Sequence, residues 1–185
     1  MSGKTGNGDW GAGNGHGVCG AALALAVLLA GAPAAVRAQD DIGIARGAMA
    51  PAVQLETLDG RATDLTAFVG KKPVLIEFWA TWCTNCRALL PRMRTAHQRY
   101  GREVEFVVIG VAVNQSRNSV RRHLAEHALP FRFFYDATGS AVRGFQAPAT
   151  SYVVALDARG RVVYTGLGPD QDIETAVRLA LGLRS

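Results

Sequence analysis

The sequence predicts an α/β fold: a central mixed sheet flanked by helices, with a β-hairpin ahead of it. Three observations predict it. Two runs, Val74 to Phe78 and Glu103 to Val113, are almost wholly apolar, as strands are when both faces of a sheet are covered. Helical patterns alternate with the strands, as parallel crossovers require. The last two strands are joined by a tight turn at Asp157-Ala158-Arg159-Gly160, so the sheet ends on an antiparallel edge.

The elements follow in order. Val53 to Leu58 alternates, Asp59-Gly60 is a hairpin turn, and Arg61 to Thr63 returns. Asp64 to Phe68 forms one short helical turn, ending at Gly70. Lys71-Lys72-Pro73 leads into the strand Val74 to Phe78. Arg87 to Tyr100 reads as a helix closed by Gly101, with Pro91 inside it removing a hydrogen bond and kinking it. After the strand Glu103 to Val113, Ser116 caps a helix from Arg117 to His127. Phe131 to Tyr135 is a strand and Ser140 to Phe145 a short helix. Ser151 to Leu156 and Arg161 to Thr165 make the terminal hairpin, and Asp170 to Leu181 is the last helix.

The chain has 185 residues, enough for one domain with a substantial core. Hydrophobic residues are 49% and charged residues 19%, which argues against wholesale disorder. The net charge is +5, but the basic residues are scattered arginines, not a stripe, so nucleic acid is not an expected partner. A mild preference for acidic surfaces or anionic lipid stays open. Residues 1–17 are Gly-rich and polar and read as disordered. Val18 to Ala30 is apolar and short for a membrane span, and Val36-Arg37-Ala38 has the small residues of a cleavage site. Residues 1–38 are therefore expected to be an export signal or an uncleaved N-terminal anchor, with membrane contact only in the second case. Residues 39–50 read as a linker, and 51–185 as the folded domain. Cys19 stands at the very start of the apolar run and reads as inert.

The chemistry concentrates in Val74 to Pro91. Cys83 and Cys86 form a Cys-x-x-Cys pair at a strand-to-helix junction, the setting of a redox dithiol. Cys83 falls at or just before the helix N-terminus, where unpaired N–H groups favour a thiolate. It is the expected nucleophile. Cys86, one turn on and less exposed, is the expected resolving thiol. Glu77 interrupts an apolar strand six residues before Cys83. A buried carboxylate is costly without a partner or a task. It reads as a proton acceptor for Cys86, with burial raising its pKa. The competing reading pairs it with Lys71 or Lys72. No metal site is expected: zinc wants four ligands, and His97, His123 and His127 supply no second close pair. His123 and His127, four apart, share a helix face. A copper(I) carrier using the Cys83/Cys86 dithiol is the alternative function.

The run Glu77-Phe-Trp-Ala-Thr-Trp-Cys-x-x-Cys86, with Pro91 five residues on, resembles the thioredoxin superfamily. The preceding Ala50-Pro-Ala-Val-Gln-Leu-Glu-Thr-Leu-Asp-Gly-Arg61, the Gly-Lys-Lys-Pro-Val-Leu-Ile lead-in and the export signal are similar to its TlpA/ResA-like branch. The resemblance implies a thioredoxin-like fold with an N-terminal β-hairpin extension. It implies extracytoplasmic, periplasmic thiol–disulfide exchange with no cofactor beyond the redox-active Cys83–Cys86 disulfide. Exported thiol proteins, such as those of cytochrome c maturation, are the implied clients, and a membrane reductase is the implied electron donor. It also implies a cis-proline opposite the dithiol, matched by Pro148. Trp79, Trp82, Thr84, Asn85, Ala147 and Pro148 are then the substrate-binding residues. Two departures stand out: Ala149 separates Pro148 from Thr150, and the distance from Pro148 to Gly160 is long. Thr84-Asn85 lacks the proline of many relatives, and these two residues tune redox potential. Peroxidase chemistry is disfavoured because Ala80 stands where peroxiredoxins need Thr or Ser, and Sco-type copper chaperones space their cysteines differently. A catalytically dead interaction module is disfavoured because both cysteines are present.

Overall fold

The computed structural model describes residues 42–183. The expected signal or anchor segment and Cys19 lie outside the described residues. Among these residues, the strands are β1 (Gln54–Glu56), β2 (Ala62–Asp64), β3 (Val74–Trp79), β4 (Glu105–Val111), β5 (Arg132–Asp136), β6 (Tyr152–Leu156) and β7 (Val162–Leu167). The helices are α1 (Thr84–Tyr100), α2 (Arg117–Glu126), α3 (Ser140–Gly144) and α4 (Ile173–Ala180).

The strands form one sheet in the order β2-β1-β5-β4-β3-β6-β7. β3, β4 and β5 run parallel. β6 and β7 close one side antiparallel, and the β1–β2 hairpin closes the other antiparallel to β5. The thioredoxin-like architecture expected from the sequence is therefore present, hairpin extension included. β3 lies between β4 and β6, and every one of its residues is buried. That position explains why its sequence does not alternate: side chains on both faces pack inside. The helices supply the cover. α4 packs on β3, β6, β7 and α1, while α3 packs on β1 and β5. No helix among the described residues is long and apolar enough to cross a membrane.

Helix ends follow local chemistry. Ser116 caps α2 as expected: its Oγ accepts from the Ser119 N–H at 3.2 Å, and Ser119 Oγ accepts from the Ser116 N–H at 3.0 Å. α1 starts at Thr84, three residues before the Arg87 start read from the sequence, with Cys83 as its cap, at the helix N-terminus as expected. It continues through Pro91 to Tyr100 as one helix. Thr95 Oγ1 donates to the Pro91 carbonyl at 3.0 Å.

The expected linker is corrected in part. Gly47 and Ala50 donate backbone hydrogen bonds to Val162 and Gly160, and Val162 donates to Ala48. Ile44 is buried. Residues 47–50 thus lie along the start of β7 and satisfy part of an otherwise open sheet edge, while the Ile44 N–H donates to the Phe145 carbonyl at 3.0 Å.

Ile76 is fully buried in β3, opposite Val107 of β4 and Val154 of β6. Ile76→Ala removes apolar volume that its rigid neighbours cannot refill. We expect it to lower unfolding stability by about 2–5 kcal/mol, measured by urea denaturation.

Candidate active site

β3 carries Glu77 and Trp79, and a short turn then delivers Cys83 to the first turn of α1. Three bonds fix that turn. The Cys83 N–H donates to the Ala80 carbonyl at 3.1 Å. The Thr81 N–H donates to Gln115 Oε1 at 2.9 Å, and Gln115 Nε2 donates to the Val111 carbonyl at 2.7 Å. Gln115 therefore ties the turn to the end of β4. Nothing in the local sequence marked it, because its role comes from strands adjacent only in the fold.

Cys83 and Cys86 are joined as a disulfide, with Cα atoms 5.3 Å apart. The Cys86 N–H points at Cys83 Sγ, 3.0 Å away. In the dithiol form that same donor stabilises a Cys83 thiolate, reinforced by the positive end of α1. No acidic side chain stands in the first turn to oppose it. The expected difference in exposure between the two cysteines is absent: Cys83 is 3% exposed and Cys86 2%. The bond draws both sulfurs together below the surface.

Glu77 is buried, and its Oε1 has no hydrogen-bond partner. The lysine alternative does not hold: Lys72 pairs with Glu105 at 3.0 Å, and Arg132 reaches the same carboxylate at 2.7 Å. Loss of water without a compensating charge raises the Glu77 pKa from the ordinary 4.5 to about 8. Glu77 and Cys86 line one cavity of ≈ 180 Å³, together with Trp79, Thr81 and His123. The structure thus brings the strand acid and the second cysteine to a common space, as the sequence suggested. A larger cavity of ≈ 430 Å³, between α1 and the start of α4, does not touch the dithiol.

The aromatic residues split. Trp79 is buried with its ring 5.4 Å from His123 and 5.8 Å from Phe133. Trp82 is 45% exposed, and its Nε1 donates to the Val113 carbonyl at 2.9 Å. Thr84 and Asn85 are exposed on the first turn of α1. Pro148 and Ala147 line a groove of ≈ 350 Å³ with Trp82 and Val113, separate from the Glu77 cavity.

Pro148 lies between α3 and β6, in the segment where the sequence put it. It is exposed and sits four residues before Tyr152, the first residue of β6. The residue that directly precedes β6 is Ser151, fully buried, with φ of 63°. Its N–H donates to the Phe78 carbonyl at 2.7 Å and its Oγ to the Gly168 carbonyl at 3.1 Å. Its own carbonyl accepts from Gln171 Nε2 at 2.9 Å. These tertiary bonds hold the serine at the strand entry. Among the described residues, no group of three or more His, Cys, Asp or Glu side chains is placed to hold a metal ion.

A raised carboxyl pKa has a stability consequence. Between about pH 4.5 and 8 the folded protein holds a proton on Glu77 that the unfolded chain has released. Stability from this group is fully present below 4.5 and is lost as pH rises towards 8. Glu77→Gln removes that dependence. Thermal melts from pH 5 to 9 should show the melting temperature of the unsubstituted protein falling more steeply than that of the variant; parallel curves would contradict the assignment.

The redoxin family model matches residues 45–179. The chain is 30% identical over 143 residues to the thioredoxin-like protein YneN of Bacillus subtilis, covering 75% of this chain and 82% of that one. It is 28% identical over 134 residues to the thiol–disulfide oxidoreductase ResA of Geobacillus thermodenitrificans, covering 71% and 75%. The crystal structure of a putative thiol:disulfide interchange protein DsbE from Chlorobium tepidum superposes with a TM-score of 0.65 at 23% identity, covering 75% of this chain and 99% of that one. With the Cys83–Cys86 pair at the head of α1, the chain belongs to the redoxin family and is a thiol–disulfide oxidoreductase of thioredoxin-like fold.

Proposed function

We propose that the protein is an exported reductase of disulfides in client proteins. The observation that carries this reading is the cavity shared by Cys86 and the buried, unpartnered Glu77. The Cys83 thiolate attacks one sulfur of a client disulfide. The client S–S bond breaks, one client sulfur leaves and takes a proton, and a mixed disulfide forms. Glu77, protonated at rest at neutral pH, first releases its proton, and the resulting carboxylate takes the proton of the Cys86 thiol as that thiol attacks Cys83 Sγ. The Cys83–Cys86 bond forms, and the second client sulfur leaves. Two electrons pass to the client.

Resetting the cycle takes a dithiol donor, which we assign to a membrane reductase. The apolar run Val18 to Ala30 and the Val36-Arg37-Ala38 sequence support export to the periplasm by residues 1–38. Trp82, Thr84, Asn85, Ala147 and Pro148 form the client-facing surface, and Trp79 backs the dithiol from inside. The apolar groove beside Trp82 supports that assignment. A role in keeping the cysteines of cytochrome c precursors reduced fits the ResA similarity.

Cysteine substitutions test the roles separately. Cys83→Ser should reduce insulin-disulfide reduction to background. Cys86→Ser should retain attack but accumulate mixed disulfides, seen as client adducts on non-reducing gels. Full activity of Cys83→Ser, or adducts formed through Cys86 instead, would overturn the assignment.

A further inference from the structure

Glu77 is sealed in the sheet, so a proton that it receives from Cys86 needs a way out before the next turnover. The cavity it shares with Cys86 is also lined by His123 of α2 and by His127, the C-cap of that helix. These histidines form a graded path: Glu77 is buried, His123 half-buried and His127 exposed. Their rings stack, with centroids 4.5 Å apart and planes inclined by 21°. We propose that His123 and His127 relay the proton between Glu77 and solvent through this cavity. The inference rests on the role assigned above to Glu77.

The other groups around the cavity do not serve. Arg87 and Arg94 of α1 line it, but a guanidinium does not give up its proton. Arg87 instead donates to Thr84 Oγ1 at 3.2 Å, and Arg94 to the Ala128 carbonyl at 3.3 Å. Thr81 carries a hydroxyl that does not titrate near neutral pH. Glu126, on α2 itself, acts on His123 only through its charge. His123 and His127 are thus the lining imidazoles, side chains that both accept and donate a proton.

The tautomers suit the path. His127 Nδ1 lies 3.1 Å from the His123 backbone carbonyl. A carbonyl oxygen only accepts, so Nδ1 carries the hydrogen and Nε2 is left to exchange a proton. Burial first, then the neighbouring His127, hold the His123 pKa below its ordinary 6.5. Its imidazole is therefore neutral at pH 7 and ready to accept. A cavity of ≈ 180 Å³ has room for water to bridge Glu77 to His123. The balance is simple: one proton leaves the Glu77 carboxyl, passes through water to His123, passes from His123 through a second water to His127 Nε2, and is released from Nε2 to solvent. No electrons move.

The test reacts the reduced protein with glutathione disulfide, quenches in acid, and follows decay of the Cys83–glutathione mixed disulfide. His123→Gln should slow that decay about tenfold at pH 7, and added imidazole should restore it. His127→Gln, at an exposed position that does not endanger folding, should slow it in the same way with the same rescue. Glu77→Gln should be slow whatever the imidazole concentration. If Glu77→Gln is slow while both histidine variants resolve at the unsubstituted rate, the relay alone is overturned. Slowing without imidazole rescue also overturns it, because that indicates a packing role against Trp79. If Glu77→Gln resolves at the unsubstituted rate, the proton-acceptor reading fails and the relay fails with it.

Discussion

A carboxyl group placed without a hydrogen-bond partner in the central strand of a sheet costs several kcal/mol if charged and less if it keeps its proton. Glu77 is in that position. The structure spends its strongest local charge pairing elsewhere: Lys72 and Arg132 both bind Glu105 at the start of β4, leaving Glu77 alone inside. The apolar walls that raise its pKa are also the sheet core, including Val108 of β4 and Val153 of β6 beside it. Stability and proton chemistry therefore draw on the same packing, and neither can be changed without the other.

The dithiol is positioned by the same strand. β3 fixes where the chain leaves the sheet, Gln115 fixes the turn, and Cys83 caps α1. One hydrogen bond, from the Cys86 N–H to Cys83 Sγ, links the resolving residue's backbone to the attacking sulfur. The helix end favours a thiolate at the first cysteine, and in the proposed cycle the cavity gives the second a route for its proton. The proposed roles rest on one cysteine facing the helix end and the other sharing space with Glu77, not on exposure.

Much of this was legible in the sequence where a single residue broke a local pattern. Glu77 stood out because a carboxylate interrupts a run of apolar strand residues, and the Cys pair stood out by spacing. The start of α1 was set three residues late because cysteine is not a usual cap and Thr84-Asn85 are weak helix formers. Residues 44–50 read as linker because their order comes from backbone bonds, those of Ile44 to Phe145 and those of residues 47–50 to the start of β7, which leave no side-chain pattern. A trace existed nearby: Gly43 has φ of 77°, and a Cβ there would lie 2.3 Å from the Tyr152 hydroxyl, so only glycine fits. Ser151 was missed because bonds from Phe78, Gly168 and Gln171 define its position, and all three are distant in sequence. The pairing of His123 with His127 was visible as a helical spacing, but only the fold turns that face towards Glu77.

The most direct test is a carbon-13 NMR titration of the Glu77 carboxyl in the oxidised protein, assigned by comparison with Glu77→Gln. A midpoint near 8 is the predicted result, as burial without a partner requires. A midpoint near 4.5, the ordinary glutamate value, would mean that the carboxylate is charged and compensated at neutral pH, and would contradict the account.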